Sequence, residues 1–171
     1  MKSRTRMARP QARIVAVFLI LALAWTGCAR DPVARDLAEY VNRGVLGIAE
    51  LERVSLEKYA AVTGTNYTTD KRFYDALRDD VVPLYKRFLD GLRRLRPETE
   101  EVRQLHNVYI RAAVSLYEGF REMMVGLEQQ DVNIVRAANR KIEKGRAENE
   151  RWRKELTALT GKHGLKFEQM K

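Results

Sequence analysis

Asp70–Leu95, D-K-R-F-Y-D-A-L-R-D-D-V-V-P-L-Y-K-R-F-L-D-G-L-R-R-L, is the stretch that decides the fold. Phe73, Leu77, Val81, Leu84, Phe88, Leu92 and Leu95 recur at steps of three or four. That period sets them on one face of a helix, whereas a strand would alternate at two. Pro83 lies in the middle. It carries no amide donor and its ring meets the carbonyl of Asp79, so a kink is predicted over Asp79–Val82. The kink either follows the curvature of a bundle or opens a break that lines a groove.

A helix with one apolar face needs partners, and the flanking sequence supplies three. Upstream, Leu37, Val41, Ile48, Leu51, Ser55, Tyr59 and Val62 predict a helix from about Val33 to Thr63. Gly44 and Gly47 inside it mark close packing or a local bend, and Gly64 suits the left-handed position past its end. Thr69 or Asp70 caps the second helix. Arg96–Glu101 is a stop and a start, with Pro97 as the first helical residue and acids at the positive helix end. A third helix then runs to about Gln129 with Val102, Leu105, Tyr109, Ala112, Leu116, Met123 and Leu127 inward. Asp131 caps a fourth, whose seam is Val135, Ala138, Ile142, Gly145, Asn149, Trp152, Leu156 and Leu159. Gly161 and Gly164 end it. The expectation is an all-α, antiparallel up-down-up-down four-helix bundle over 35–161, coiled-coil-like in its seams, with a basic tail at 162–171. A three-helix core with the fourth helix loosely docked is the rival.

The amino terminus has a different character. Lys2, Arg4, Arg6, Arg9 and Arg13 precede twelve apolar residues, Ile14–Trp25, and no acid occurs before Cys28. As a helix this run reaches ~18 Å, short of the ~30 Å needed to span a bilayer. A basic region, a short apolar region and small residues after it form an export signal. Trp25-Thr26-Gly27-Cys28 resembles the lipobox of bacterial lipoproteins. Thr26, Gly27 and Cys28 fit it, and Trp25 departs from it, since an aliphatic residue is usual there. The resemblance implies a signal peptide over 1–27, cleavage between Gly27 and Cys28, acyl chains such as palmitate on the Cys28 thiol, and a tether over 28–34. Cleavage behind Ala24 and an uncleaved anchor are the other two readings. The resemblance also implies a cell-envelope location. In a two-membrane bacterium Ala29 fits the outer membrane, facing the periplasm.

The net charge of +9 invites a nucleic-acid reading. Five of those charges belong to the signal, which leaves the rest of the chain near +4. With export, nucleic acid is not an expected partner. The fourth helix and tail are the most basic stretch, a face suited to anionic lipid or to solvent. The lone cysteine excludes an internal disulfide framework.

No catalytic constellation stands out. His106 and His163 are the two histidines, His106 expected at the surface and the pair at unrelated places, so neither a zinc site nor a di-iron motif is expected. His106 lies too far along its own helix from Met123 and Met124 to share a haem with them. Ser55 and Ser115 are mid-helix without a base nearby, and Gly161-Lys162-His163-Gly164 lacks the context of a phosphate loop. No enzyme and no cofactor are expected. Asn149, in an otherwise apolar seam, either fixes helix register or lines a pocket with Tyr109, Trp152 and the break at Pro83. The expected function is a membrane-anchored, non-enzymatic module for an envelope protein partner. The alternative is a small-ligand-binding bundle.

Overall fold

The structure, a computed structural model, describes residues 31–165. All regular structure among them is helical, in four helices. Helix α1 spans 32–60: Pro32–Glu39 is α-helical, Tyr40–Val45 forms a π turn, and Leu46–Ala60 is α-helical again. Helix α2 spans 70–92, with Asp70–Ala76, a π turn at Leu77–Val81, and Val82–Leu92. Helix α3 is Glu100–Gln129 and α4 is Val132–Lys162. None of these helices is long and apolar enough to cross a membrane. The lipidation and cleavage positions, Cys28 and Gly27, and most of the basic tail lie outside the described residues.

The caps follow side-chain chemistry. Thr69 Oγ1 accepts from the Arg72 amide at 3.2 Å, and Asp131 Oδ1 accepts from the Asn133 amide at 2.8 Å. Asp31 caps α1 by accepting from the Val33 and Ala34 amides, and Pro32 follows as the first helical residue. Helix therefore begins inside the stretch expected as tether. Pro97 does not start α3. The helix begins at Glu100, and the turn before it is held by Asp36, whose carboxylate accepts from the Glu98 and Thr99 amides and from the Thr99 hydroxyl at 2.6–3.1 Å.

The disturbance predicted ahead of Pro83 takes the form of the π turn at Leu77–Val81, a widening that accommodates a missing donor. Ser55 of α1 donates to the Val81 carbonyl at 2.9 Å there. Of the two helix-interior glycines in α1, Gly44 lies in a π turn and faces Leu95, whose Cδ1 would be 3.1 Å from a Cβ. Gly47 meets nothing within 4 Å.

Contacts fix the helix directions. Gly126 faces Val135, Gly119 faces Ile142, Gly145 faces Leu116 and Tyr109 stacks on Trp152, so α3 and α4 run antiparallel. A Cβ on Gly145 would lie 2.9 Å from the Leu116 amide nitrogen, and one on Gly119 would lie 3.1 Å from the Ala138 carbonyl oxygen. Only glycine allows this backbone approach. Ser55–Val81 and Ile48–Gly91 set α1 and α2 antiparallel in the same way. The aromatic core, Tyr59, Tyr85, Phe88, Tyr109 and Phe120, joins α1, α2 and α3. Helix α4 packs closely along α3 and stands off α1.

Candidate binding groove between α1 and α4

The gap between α1 and α4 is a groove of about 800 Å³. On α1, Val45, Ala49, Glu52, Leu56 and Ala60 recur at steps of three and four and form one wall. On α4, Asn149, Trp152 and Leu156 form the other, and Tyr109 of α3 lies between them. A smaller recess of about 220 Å³ continues it, sharing Leu56, Ala60 and Asn149 and adding Tyr59 and Ile142.

The polar groups gather at one place. The Tyr109 hydroxyl donates to Glu52 Oε2 at 2.6 Å. Its ring stacks on Trp152, with centroids 4.0 Å apart and planes 15° apart. Glu52 Oε1 and Asn149 Oδ1 are buried and have no hydrogen-bond partner among the described residues, whereas Trp152 Nε1 lies toward the Tyr40 hydroxyl. A buried unpartnered polar atom costs about 1–3 kcal/mol, so two on one groove depart from a satisfied core.

The electrostatics follow from burial. Desolvation raises the Glu52 pKa above its ordinary value, against smaller opposing effects from the Tyr109 hydrogen bond and the Arg153 charge. Burial, and next the Glu52 charge, holds the Tyr109 and Tyr85 phenols well above their usual range. Both phenols stay protonated at neutral pH, and that of Tyr109 donates to Glu52. A buried carboxyl group beside phenol donors and apolar walls is suited to holding a ligand.

Three of the four residues singled out from sequence as pocket or register positions, Asn149, Tyr109 and Trp152, line this groove together. Pro83 does not: it is exposed on α2 and is not among the lining residues. Its effect on the backbone is spent in the π turn, on a helix that does not border the groove. His106, expected at the surface, is buried with 8% exposure, its Nδ1 3.3 Å from the Tyr40 hydroxyl. Burial lowers its pKa, with a further contribution from Arg96. His163 shares that end of the fold, its Nδ1 2.5 Å from Asp31 Oδ2. Among the described residues no group of three or more His, Cys, Asp and Glu is placed to hold a metal ion.

Glu52 escaped sequence reasoning. The available signal was a second apolar stripe on α1, Val45-Ala49-Leu56-Ala60, with Glu52 as its one charged member.

Comparisons with protein-family models, with curated proteins and with solved structures give no match for this chain.

Proposed function

We propose that this chain is a lipid-anchored protein of a bacterial cell envelope whose up-down-up-down bundle, bent in its second helix ahead of Pro83, is a non-enzymatic binding module. The groove between α1 and α4 is its binding site. The observation that carries this reading is the gathering of Glu52 and Asn149, each with an unpartnered buried oxygen, beside Tyr109 and Trp152 in a groove of about 800 Å³ that Arg53 and Arg153 also border. That volume and composition match a small-molecule site, in which apolar walls supply area and a few polar groups supply orientation.

The test uses the full chain in neutral detergent with the uncharged, environment-sensitive dye Nile red. Saturable binding is expected. Ala49→Phe, which fills the groove from the α1 wall, should abolish it while leaving helical circular dichroism unchanged. Binding that survives Ala49→Phe, or that never saturates, would dispose of the groove reading.

The anchor rests on the lipobox resemblance at Thr26-Gly27-Cys28. Cys28→Ser should shift the protein from the detergent phase to the aqueous phase of a cell extract, or block its processing. Unchanged partition and size would remove the lipid claim.

A protein partner is the second reading, and the length of the groove favours it. The main recess and its continuation together run from Val45 to Ala60 along α1, a length able to receive a partner helix. Site-specific photo-crosslinking from Leu56 in membranes should capture one defined envelope protein under this reading, and none under the small-ligand reading.

A further inference from the structure

We infer that the groove takes a small organic cation, its ammonium seated at Glu52 and Asn149 and its apolar body lying along Ala49, Leu56 and Leu156. The inference rests on the groove being the binding site and adds the chemical class of the ligand.

The first ground is the carboxylate. Glu52 Oε2 accepts from Tyr109, whereas Oε1 is buried without a partner among the described residues. A neutral donor satisfies such an oxygen only in part, because a buried carboxylate is balanced by a positive charge. Arg53 and Arg153 also border the groove, and the Arg153 charge acts weakly on Glu52, but among the described residues no cation forms an ion pair with its carboxylate. Arg53 is held by Glu50 and Glu57, each at 2.5 Å, and Arg153 lies 3.5 Å from Glu150. Both arginines are exposed at the rim.

The second ground is the kind of polar atoms that remain. Glu52 Oε1 and Asn149 Oδ1 are both acceptors on the same recess. An ammonium brings up to three donors and no acceptor, so it can meet both. An anionic ligand would meet the Glu52 charge at the deep end of the groove. Ala49, Leu56 and Leu156 supply apolar surface beside these acceptors, which calls for a hydrocarbon body and disfavours an inorganic cation.

The experiment exploits the tryptophan count. The chain has two, Trp25 and Trp152; cleavage behind Gly27 removes Trp25, and Trp25→Phe does the same for unprocessed chain, so Trp152 is left as the sole tryptophan, inside the site. In neutral detergent at pH 7, phenethylamine, 2-phenylethanol and phenylacetate present one aromatic body with a positive, a zero and a negative charge. Phenethylamine should change Trp152 emission saturably and bind about tenfold tighter than either of the others, a difference of ~1.4 kcal/mol. Glu52→Gln keeps an acceptor for Tyr109 and should erase that advantage while leaving 2-phenylethanol binding unchanged. Asn149→Leu should weaken the amine more than the alcohol, an independent route if the first variant folds poorly.

Equal binding of amine and alcohol, tighter binding of phenylacetate, or full amine binding by a folded Glu52→Gln variant would overturn the cation. So would failure of all three probes to bind. Where Nile red still binds and Ala49→Phe still blocks it, only the ligand class falls. Where Nile red fails as well, the groove reading falls with it.

Discussion

At the residue scale, two carboxylates do opposite things. Asp36 is buried at 6% exposure and accepts from two amides and a hydroxyl of the turn before α3. Asp36→Ala leaves those amides unsatisfied and should cost about 2–4 kcal/mol of unfolding free energy, read from urea denaturation. Glu52 has one donor for two oxygens. Its pKa is raised from an ordinary 4.5 in the folded chain. The folded state therefore binds more protons than the unfolded state above pH 4.5, and stability falls as pH rises from there through the folded pKa. Glu52→Gln removes that fall. The variant should melt with the parent in acid and above it at neutral pH, in thermal scans from pH 4 to 8. A residue whose removal stabilises the fold while weakening amine binding is one kept for binding rather than for folding.

At the element scale, the glycines separate by what faces them. Ala112, Gly119 and Gly126 recur every seven residues on α3, and Ala138 and Gly145 do so on α4. These small residues draw the two backbones together. Gly145→Ala would place a methyl group 2.9 Å from the Leu116 amide nitrogen and 3.0 Å from the Ala112 carbonyl oxygen. Backbone cannot give way cheaply, so a loss of about 1–3 kcal/mol is expected. Gly47→Ala, with nothing within 4 Å of its Cβ, should instead stabilise α1 by up to ~1 kcal/mol. Denaturation midpoints of the two variants should move in opposite directions. The spacing of seven was visible in the sequence, but a small residue at a seam position reads equally as a weak core position until the facing helix is known.

At the scale of the molecule, α2 and α3 bring the aromatic core together and α4 joins it through α3. Phe120 is fully buried and touches Tyr59 of α1 and Tyr85 of α2. Phe120→Ala should cost about 3–5 kcal/mol, measured by calorimetry of the full chain. Substitutions at the partly buried groove positions Ala49 and Leu56 should cost far less. That contrast, a firm three-helix interior with the fourth helix held along one side, sits between the closed bundle and the loosely docked helix that the sequence allowed. It is also what leaves room for a ligand.

The sequence by itself determined the number of helices, most of their inward residues, the cap at Asp131, a cap at Thr69 or Asp70, and the disturbance ahead of Pro83; on α2 it set Leu84 inward where the structure buries Tyr85 and Leu89. Each depends on residues within a turn or two of one another, where helical period and side-chain reach are fixed by local geometry. It also brought forward Asn149, Tyr109 and Trp152, since a polar or amphipathic side chain in an apolar seam departs from the period. Tertiary structure alone decided that these three meet Glu52 and that Pro83 does not join them. It alone buried His106 under Tyr40 and set Asp36 beneath Thr99. The Glu52–Tyr109 bond joins residues 57 apart in the chain, and the Asp36–Thr99 bond joins residues 63 apart. Periodicity assigns a face to each helix. Which two faces stand apart to form a groove depends on how closely α3 and α4 approach, and that is set by where facing small residues happen to coincide.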